Sequence, residues 1–180
     1  MALSDTIYVF DIELANSDKG VYESLKLRIA RHPSETAERM LTRLLAYCLE
    51  YTEGIALSNA ISDPDEPAIA VRDLTGALQV WVDVGAPEPA RLHRASKAAR
   101  RVAVYAHKDA AQLAARLSGE RIHRIDCLEL YAMDFDWLSD LAQRLRRRTT
   151  FTLTVSEQHI YLSHGEETLS GVMRRIPLSQ

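Results

Sequence analysis

Hydrophobic positions recur along this chain with two periods, and each change of period indicates a change between strand and helix. Alternation with a period of two predicts an N-terminal β-hairpin over residues 6–30, with a polar turn at residues 16–20. Apolar residues at helical spacing then run from Ala37 to Cys48, after Ser34 as the expected N-cap. The chain is therefore predicted to begin with a hairpin followed by one long amphipathic helix.

The rest of the chain alternates between short apolar runs and helical stretches. Further strands are predicted at residues 55–60, 68–73, 78–84, 102–106, 125–131, 149–156 and 159–163, and further helices at residues 88–101, 108–118 and 135–146. From the first helix onward the order is α-β-β-β-α-β, with α-β-α-β-β after it. This interleaving predicts a mixed α/β fold, in which a mixed β-sheet is flanked by helices. A dinucleotide-binding fold is not indicated, because none of the seven glycines forms a glycine-rich phosphate loop.

The composition excludes several classes of protein. At 180 residues, 47% hydrophobic and 26% charged, the chain has the length and balance of one globular domain and not of a disordered or fibrous protein. No apolar run reaches the length of a membrane helix, and the N-terminus does not resemble a signal peptide. Cys48 and Cys127 lie within apolar patterns and do not indicate a disulfide framework. We therefore expect a single-domain cytoplasmic protein without a membrane segment.

The net charge of -3 argues against a strongly basic nucleic-acid-binding protein, but the positive residues are unevenly distributed. One basic run lies at residues 91–101 and a denser one at residues 144–148. Such runs are most often solvated helix faces. For Arg91 and Arg94 a phosphate-binding role has equal weight, because both lie near the N-terminus of a predicted helix, where anions bind.

Two aspartates lie in the hairpin that is predicted over residues 68–84. Asp73 ends the first strand and Asp83 lies near the end of the second, on the same strand face as Trp81 and Gly85. Because paired strands lie about 4.8 Å apart, the two carboxylates are expected to converge if they face the same side. Converging carboxylates are ligands for Mg²⁺, although each aspartate also suits the simpler role of capping a turn or a strand end.

A third acid, Glu38, lies at the border of the apolar face of the first helix. From there its carboxylate is expected either to reach over the sheet toward Asp83 or only to interact with the helix dipole. The neighbouring Glu35, Arg39 and Arg43 are expected to point into solvent.

Several short motifs gain specificity when they are combined. They are residues 30–36 (Ala-Arg-His-Pro-Ser-Glu-Thr), 38–40, 43–46, 65–67 (Asp-Glu-Pro), 73–76, 81–87, and Arg91 with the pair Arg94-Ala95. Together they resemble the bacterial YaeQ family over the whole chain. The resemblance implies a variant of the PD-(D/E)XK nuclease fold, with a restriction-endonuclease-like α-β-β-β-α-β core at about residues 35–106. The hairpin at residues 6–30 and a C-terminal α-β-α-β-β extension at residues 107–180 would pack on that core.

The resemblance also implies roles for individual residues. Glu38 matches the helix acid of the nuclease fold, Asp73 matches its first metal-binding aspartate and Asp83 matches its second acid. The chain departs from the pattern at Gly85, where the fold usually has a lysine, and at Arg72, where it usually has a proline. A literal Pro64-Asp65 pair precedes the strand and ranks below Asp73, and Arg94 stands at a basic position of the family pattern.

Two functional hypotheses result. The first is a divalent-metal-dependent phosphodiesterase that acts on DNA or RNA, with Glu38, Asp73 and Asp83 binding Mg²⁺ or Mn²⁺. Glu38, Asp83 and Arg94 would be its catalytic residues, and Arg91 and Arg94 would hold the phosphate. The alternative is a non-catalytic module that binds nucleic acid or a protein on a degenerate nuclease scaffold. Convergence of the three carboxylates in one cleft favours the first hypothesis, and an Asp73 that points to solvent favours the second.

Overall fold

The computed structural model describes residues 4–58 and 63–179. In chain order the helices and strands are β1 (Thr6–Asn16), β2 (Val21–Arg31), α1 (Ala37–Leu49), β3 (Ile55–Leu57), β4 (Ile69–Arg72), β5 (Leu78–Val84), α2 (Pro89–Ala98), β6 (Arg101–Ala106), α3 (Ala110–Ser118), β7 (Leu128–Ala132), α4 (Phe135–Gln143), β8 (Arg148–Ser156), β9 (His159–His164), β10 (Glu167–Val172) and β11 (Arg174–Ile176). The end of the strand predicted at residues 55–60 and the start of the following loop lie outside the described residues.

The strands form two mixed sheets, although the sequence pattern predicts one. The first sheet has the order β10-β9-β8-β1-β2, and the second has the order β11-β7-β6-β5-β4-β3. In the first sheet β8 pairs in parallel with β1, which joins distant parts of the chain. In the second sheet β5, β6 and β7 are parallel neighbours, while β4 runs antiparallel to β3 and β5. The mixed α/β class and the order α-β-β-β-α-β from α1 to β6 are as the sequence predicts.

Helix α1 lies between the two sheets and gives the fold its main hydrophobic core. Its buried residues pack against the inner face of the first sheet and one face of the second, together with α4. The opposite face of the second sheet is covered by α2 and α3 and forms a separate core around Leu92, Val104 and Leu117. The second sheet is therefore buried on both faces, whereas the outer face of the first sheet is polar and open to solvent. Among the described residues, no helix combines the length and the apolar composition that crossing a bilayer requires.

The position of α1 between two sheets corrects two expectations about its polar residues. The N-cap is Thr36, whose hydroxyl accepts the Arg39 amide at 3.1 Å, and not Ser34. Glu35 and Arg43 are buried instead of pointing into solvent, and both carboxylate oxygens of Glu35 accept hydrogen bonds from Arg43 at 2.8 Å. Because Arg43 also donates to the Ala30 carbonyl of β2 at 2.8 Å, this flank of the helix lies against the first sheet, and the two buried charges have to pair with each other.

A second buried carboxylate, Glu50, anchors the C-terminal end of α1 to the second sheet. It accepts two hydrogen bonds from Arg101 at 2.6 and 3.0 Å and one from the Tyr105 hydroxyl at 2.6 Å. Burial alone raises the pKa of Glu50, but the hydrogen bonds and charge of Arg101 outweigh burial and lower it overall. The ionised carboxylate is therefore part of the folded structure.

We predict that Glu50→Gln destabilises the protein by about 2–3 kcal/mol at neutral pH, because Arg101 loses its charged acceptor. A carboxylate with a lowered folded pKa stabilises the fold above its unfolded pKa of about 4.3, and this stabilisation is lost as the pH falls through the folded pKa. The difference in unfolding free energy between wild type and Glu50→Gln should therefore decrease at acidic pH. Urea unfolding at several pH values measures it, and Glu53→Gln, at an exposed glutamate, is the matched control. A loss that is equal in both variants or independent of pH contradicts the prediction.

Candidate functional site

A cleft of about 530 Å³ lies where β5 and β6 end. Its floor is formed by residues 83–87, which lead from β5 into α2, and by His107, which directly follows β6. One wall is the first turns of α2, including Arg91 and Arg94, and the other is Arg39 of α1 with the loop before β4. The carboxyl ends of neighbouring parallel strands are a common place for ligand sites in α/β proteins.

Asp83 is the most deeply buried charged group in this cleft and is 3% exposed. Arg91 binds it with two hydrogen bonds, from Nε to Oδ2 at 2.7 Å and from a terminal nitrogen to Oδ1 at 3.0 Å. The Ala68 amide donates to the same Oδ1 at 3.4 Å. The burial that the sequence pattern indicates for Asp83 is thus compensated by a bidentate ion pair.

Arg91 holds several parts of the site together. It also donates to the backbone carbonyls of Asp63 at 2.8 Å and Glu66 at 2.6 Å, so it ties the acidic loop to α2. Its guanidinium lies 5.2 Å from the centre of the Trp81 ring, within the range of a cation–π contact. The hydrogen bonds from Arg91 to Asp83 raise the pKa of Arg91. Most of its N–H donors therefore bond to other parts of the protein. Arg91 is thus a structural link between β5, α2 and the loop before β4.

Arg94 differs from Arg91 in being free. It lines the cleft one turn further along α2 and is exposed. Within residues 4–58 and 63–179 its side chain has no hydrogen bond or ion pair, so all of its donors are open to a ligand. Arg39 is half-buried on the opposite wall and uses one terminal nitrogen on Glu35 at 2.8 Å.

Gly85 forms the floor of the cleft between these two arginines. Its φ of +93° lies in a region that residues with a side chain rarely adopt. Its amide donates to the Tyr105 carbonyl at 2.9 Å, which fixes this conformation against β6. A Cβ atom at this position would lie 3.8 Å from both Arg39 Nε and His107 Cε1. The missing side chain therefore opens the cleft toward those two groups.

The expected convergence of Asp73 with Asp83 does not form. Asp73 is exposed in the β4–β5 turn, where its Oδ1 accepts from the Thr75 amide and hydroxyl and from the Ala77 amide at 2.6–3.0 Å. Those hydrogen bonds, that from the Thr75 hydroxyl first, lower the pKa of Asp73. The strand register places Ala68 beside Asp83, so the two aspartates stand at opposite ends of the hairpin, roughly 20 Å apart.

Glu38, the third predicted metal ligand, does not line the cleft. It is half-buried on α1, and its nearest link to the site is an electrostatic one, because its charge partly opposes the lowering of the His107 pKa. The described residues contain no group of three His, Cys, Asp or Glu side chains able to hold a metal ion. The predicted ligand set of Glu38, Asp73 and Asp83 is therefore not brought together.

The sequence interpretation missed three contributors to the cleft, and one of them had a usable signal. The missed residues are Arg39, Glu66 and His107. In an antiparallel hairpin, residues at similar distances before and after the turn face each other. A residue six positions after the turn therefore faces one that lies five or six positions before it. This rule selects residues 67–68, at the end of the loop before β4, and not Asp73, as the neighbours of Asp83.

Comparison with known proteins gives the family. A family model described as YaeQ protein matches residues 1–172. The chain belongs to the YaeQ family. It is 31% identical over 170 residues to "Uncharacterized protein YaeQ" of Salmonella typhi and 29% identical to that of Escherichia coli (strain K12), covering 94% of this chain and of each relative. The family membership that the combined motifs indicate is thereby confirmed.

Two solved YaeQ structures have the same architecture. The crystal structure of YaeQ from Pseudomonas syringae superposes with a TM-score of 0.86 at 31% identity, covering 96% of both chains. The structure from Xanthomonas axonopodis pv. citri gives 0.82 at 22% identity over 98% of this chain and 100% of that one, which supports the fold alone. The two-sheet arrangement is therefore shared within the YaeQ family.

We predict that Asp83→Asn destabilises this YaeQ-family chain by about 3 kcal/mol, because Arg91 would keep its buried position without a negative partner. Chemical unfolding at neutral pH measures the loss. Asp73→Asn is the matched control. It should lower the free energy of unfolding less, since the turn that contains Asp73 is exposed to water. Equal losses for the two variants would show that the Asp83–Arg91 pair has no special role.

We predict that Gly85→Ala costs about 1–2 kcal/mol, because a Cβ at φ +93° strains the backbone even though the space around it is open. Thermal or urea unfolding measures this cost. Gly119→Ala is the control, since Gly119 has an ordinary φ of -83° at the end of α3 and should tolerate alanine. If the two variants are equally stable, strain at Gly85 is not part of the site.

Proposed function

We propose that the cleft binds a phosphate group of a nucleic-acid backbone and that this YaeQ-family protein is a non-catalytic nucleic-acid-binding module on a nuclease-like scaffold. The observation that carries the proposal is the guanidinium of Arg94 in the wall of the cleft, which has no hydrogen bond or ion pair within the described residues. Free cationic donors beside a buried, already neutralised carboxylate are typical of a binding site for an anion.

The surroundings of Arg94 add further support. No side chain caps the first turn of α2, whose residues Glu88, Ala90 and Arg91 line the cleft, and the N-terminus of a helix favours negative ligands. Arg39 contributes a second guanidinium from the opposite wall. An anion in the cleft would therefore meet donors on two sides.

A second basic surface supports nucleic acid as the source of the phosphate. Arg146 and Arg147 are exposed between α4 and β8, and within the described residues neither side chain has a hydrogen bond or ion pair. Their neighbours differ, since Arg144 pairs with Glu167 and Arg148 lies 3.8 Å from Asp11. A polyanion is able to use both surfaces, whereas a small phosphate would use only the cleft.

We also propose that the fold is a variant of the PD-(D/E)XK nuclease fold. The supporting observations are the order α-β-β-β-α-β between α1 and β6 and the succession β3-β4-β5-β6-β7 across the second sheet, with β4 antiparallel to the others. The first sheet and α4 would be additions to that core.

A metal-dependent phosphodiesterase is the second candidate. It is favoured by Pro64 and Glu66, which line the same cleft as Asp83 at the start of the partner strand. The present arrangement disfavours Mg²⁺ or Mn²⁺, because Arg91 and the Ala68 amide occupy three of the about four lone-pair sites of Asp83 and the positive charge of Arg91 lies beside them. Activity through such an ion would require Arg91 to release Asp83.

We predict that Arg94→Ala lowers the affinity for a labelled oligonucleotide about tenfold and reduces the slope of affinity against salt by about one, because one phosphate contact is lost. Fluorescence anisotropy at several salt concentrations measures both. Lys97→Ala on the same helix is the control, since Lys97 is exposed and does not line the cleft.

Three results would change the proposal. If wild type binds no DNA or RNA, or if Lys97→Ala weakens binding as much as Arg94→Ala, the cleft is not the nucleic-acid site, and a protein partner should be sought by pull-down. If charge reversal at Arg146 and Arg147 leaves affinity unchanged, the second surface is excluded. Cleavage in Mg²⁺ or Mn²⁺ that disappears in Asp83→Ala would replace binding with phosphodiesterase activity.

A further inference from the structure

One polar group at the cleft is a buried ring nitrogen of His107. The Nδ1 atom of His107 is buried and has no hydrogen-bond partner among residues 4–58 and 63–179. A buried ring nitrogen without a partner is costly, so its presence requires a reason. Because His107 directly follows β6, its backbone is fixed by the parallel sheet, and the ring has a defined position at the floor of the cleft.

The environment of His107 determines the form of its ring. Burial is the largest cause that lowers the pKa of His107, and the positive charges of Lys108 and Arg39 lower it further. The negative charge of Glu38 opposes this lowering more weakly. The imidazole is therefore neutral at neutral pH and carries one proton. An acceptor nitrogen tolerates a buried place without a partner better than an N–H does, so the proton belongs on Nε2.

The open side of the ring faces the ligand space. The Cε1 atom of His107, which lies between the two ring nitrogens, is 3.8 Å from the point where a Cβ of residue 85 would be, and Arg39 Nε lies at the same distance from that point. Since Nδ1 is enclosed, Nε2 is the ring nitrogen that can reach a molecule in the cleft. The glycine thus exposes a neutral donor, Nε2–H, beside a charged one.

We propose that His107 is a phosphate-binding residue, which donates a hydrogen bond from Nε2 to the anion held by Arg94 and Arg39. This inference rests on the proposed function, because it assumes an anion in the cleft. It adds a contact at the floor of the cleft to the contacts from Arg94 and Arg39 on its two walls.

The first test uses the wild-type protein with inorganic phosphate as the probe. We predict that the Cε1–H NMR resonance of His107 shifts on titration, whereas that of His159, exposed on the outer face of the first sheet, does not. The resonance is assigned by its loss in His107→Gln. A titration that moves Arg94-dependent signals but leaves the His107 resonance in place would overturn the inference.

The second test uses oligonucleotide affinity. His107→Ala should weaken binding roughly tenfold, the effect of losing one hydrogen bond to a charged group, whereas His107→Gln should stay within about twofold because its amide nitrogen can replace Nε2. His159→Ala is the surface control. If wild type binds and Arg94→Ala weakens binding but both His107 variants bind as wild type, His107 has no contact with the phosphate and the proposed function stands. If wild type does not bind at all, the proposed function fails first. Should His107→Ala not fold, the phosphate titration of wild type decides.

Discussion

The geometry of the cleft depends on one electrostatic constraint, the need to neutralise the buried carboxylate of Asp83. A charge in the interior is stable only with a partner and a full set of hydrogen bonds, and Arg91 supplies both. The remaining donors of the same guanidinium hold the loop at residues 63–67, and the guanidinium lies over the Trp81 ring. One side chain thus fixes the end of β5, the start of α2 and the loop before β4. The shape of the cleft depends on how Arg91 holds these three segments together.

The same pair limits what the site can do chemically. A carboxylate has about four lone-pair sites, and Arg91 and the Ala68 amide occupy three of those of Asp83, so structural stability and metal binding compete for this carboxylate. Arg94 has no such commitment, and its donors remain open. The balance between these two arginines therefore favours an anion over a cation as the occupant.

Local patterns predicted the helices and strands as far as β9, but they missed β10 and β11, and strand pairing over long distances lay beyond them. The periodicity of residues 37–48 reflects a helix with one strongly buried face, and this is a local property. The division into two sheets depends instead on β8 pairing with β1, which no local pattern encodes. The burial of Glu35 and Arg43 has the same origin, since it results from a sheet that covers the polar flank of α1. The error over Asp73 was avoidable, because the position of the turn already determines which residue faces Asp83.

The remaining features of the site follow from topology. Parallel pairing of β5 with β6 requires a crossover, so α2 must begin where β5 ends and must return the chain to the opposite edge of the sheet. This geometry brings the N-terminus of α2, the turn at Gly85 and the residue after β6, His107, to the same edge. The crossover also returns the chain to Arg101, whose ion pair with Glu50 anchors α1 at the other edge. Arg101 begins β6 and His107 follows its end, so neither Arg94 nor His107 takes part in the ion pair that anchors α1.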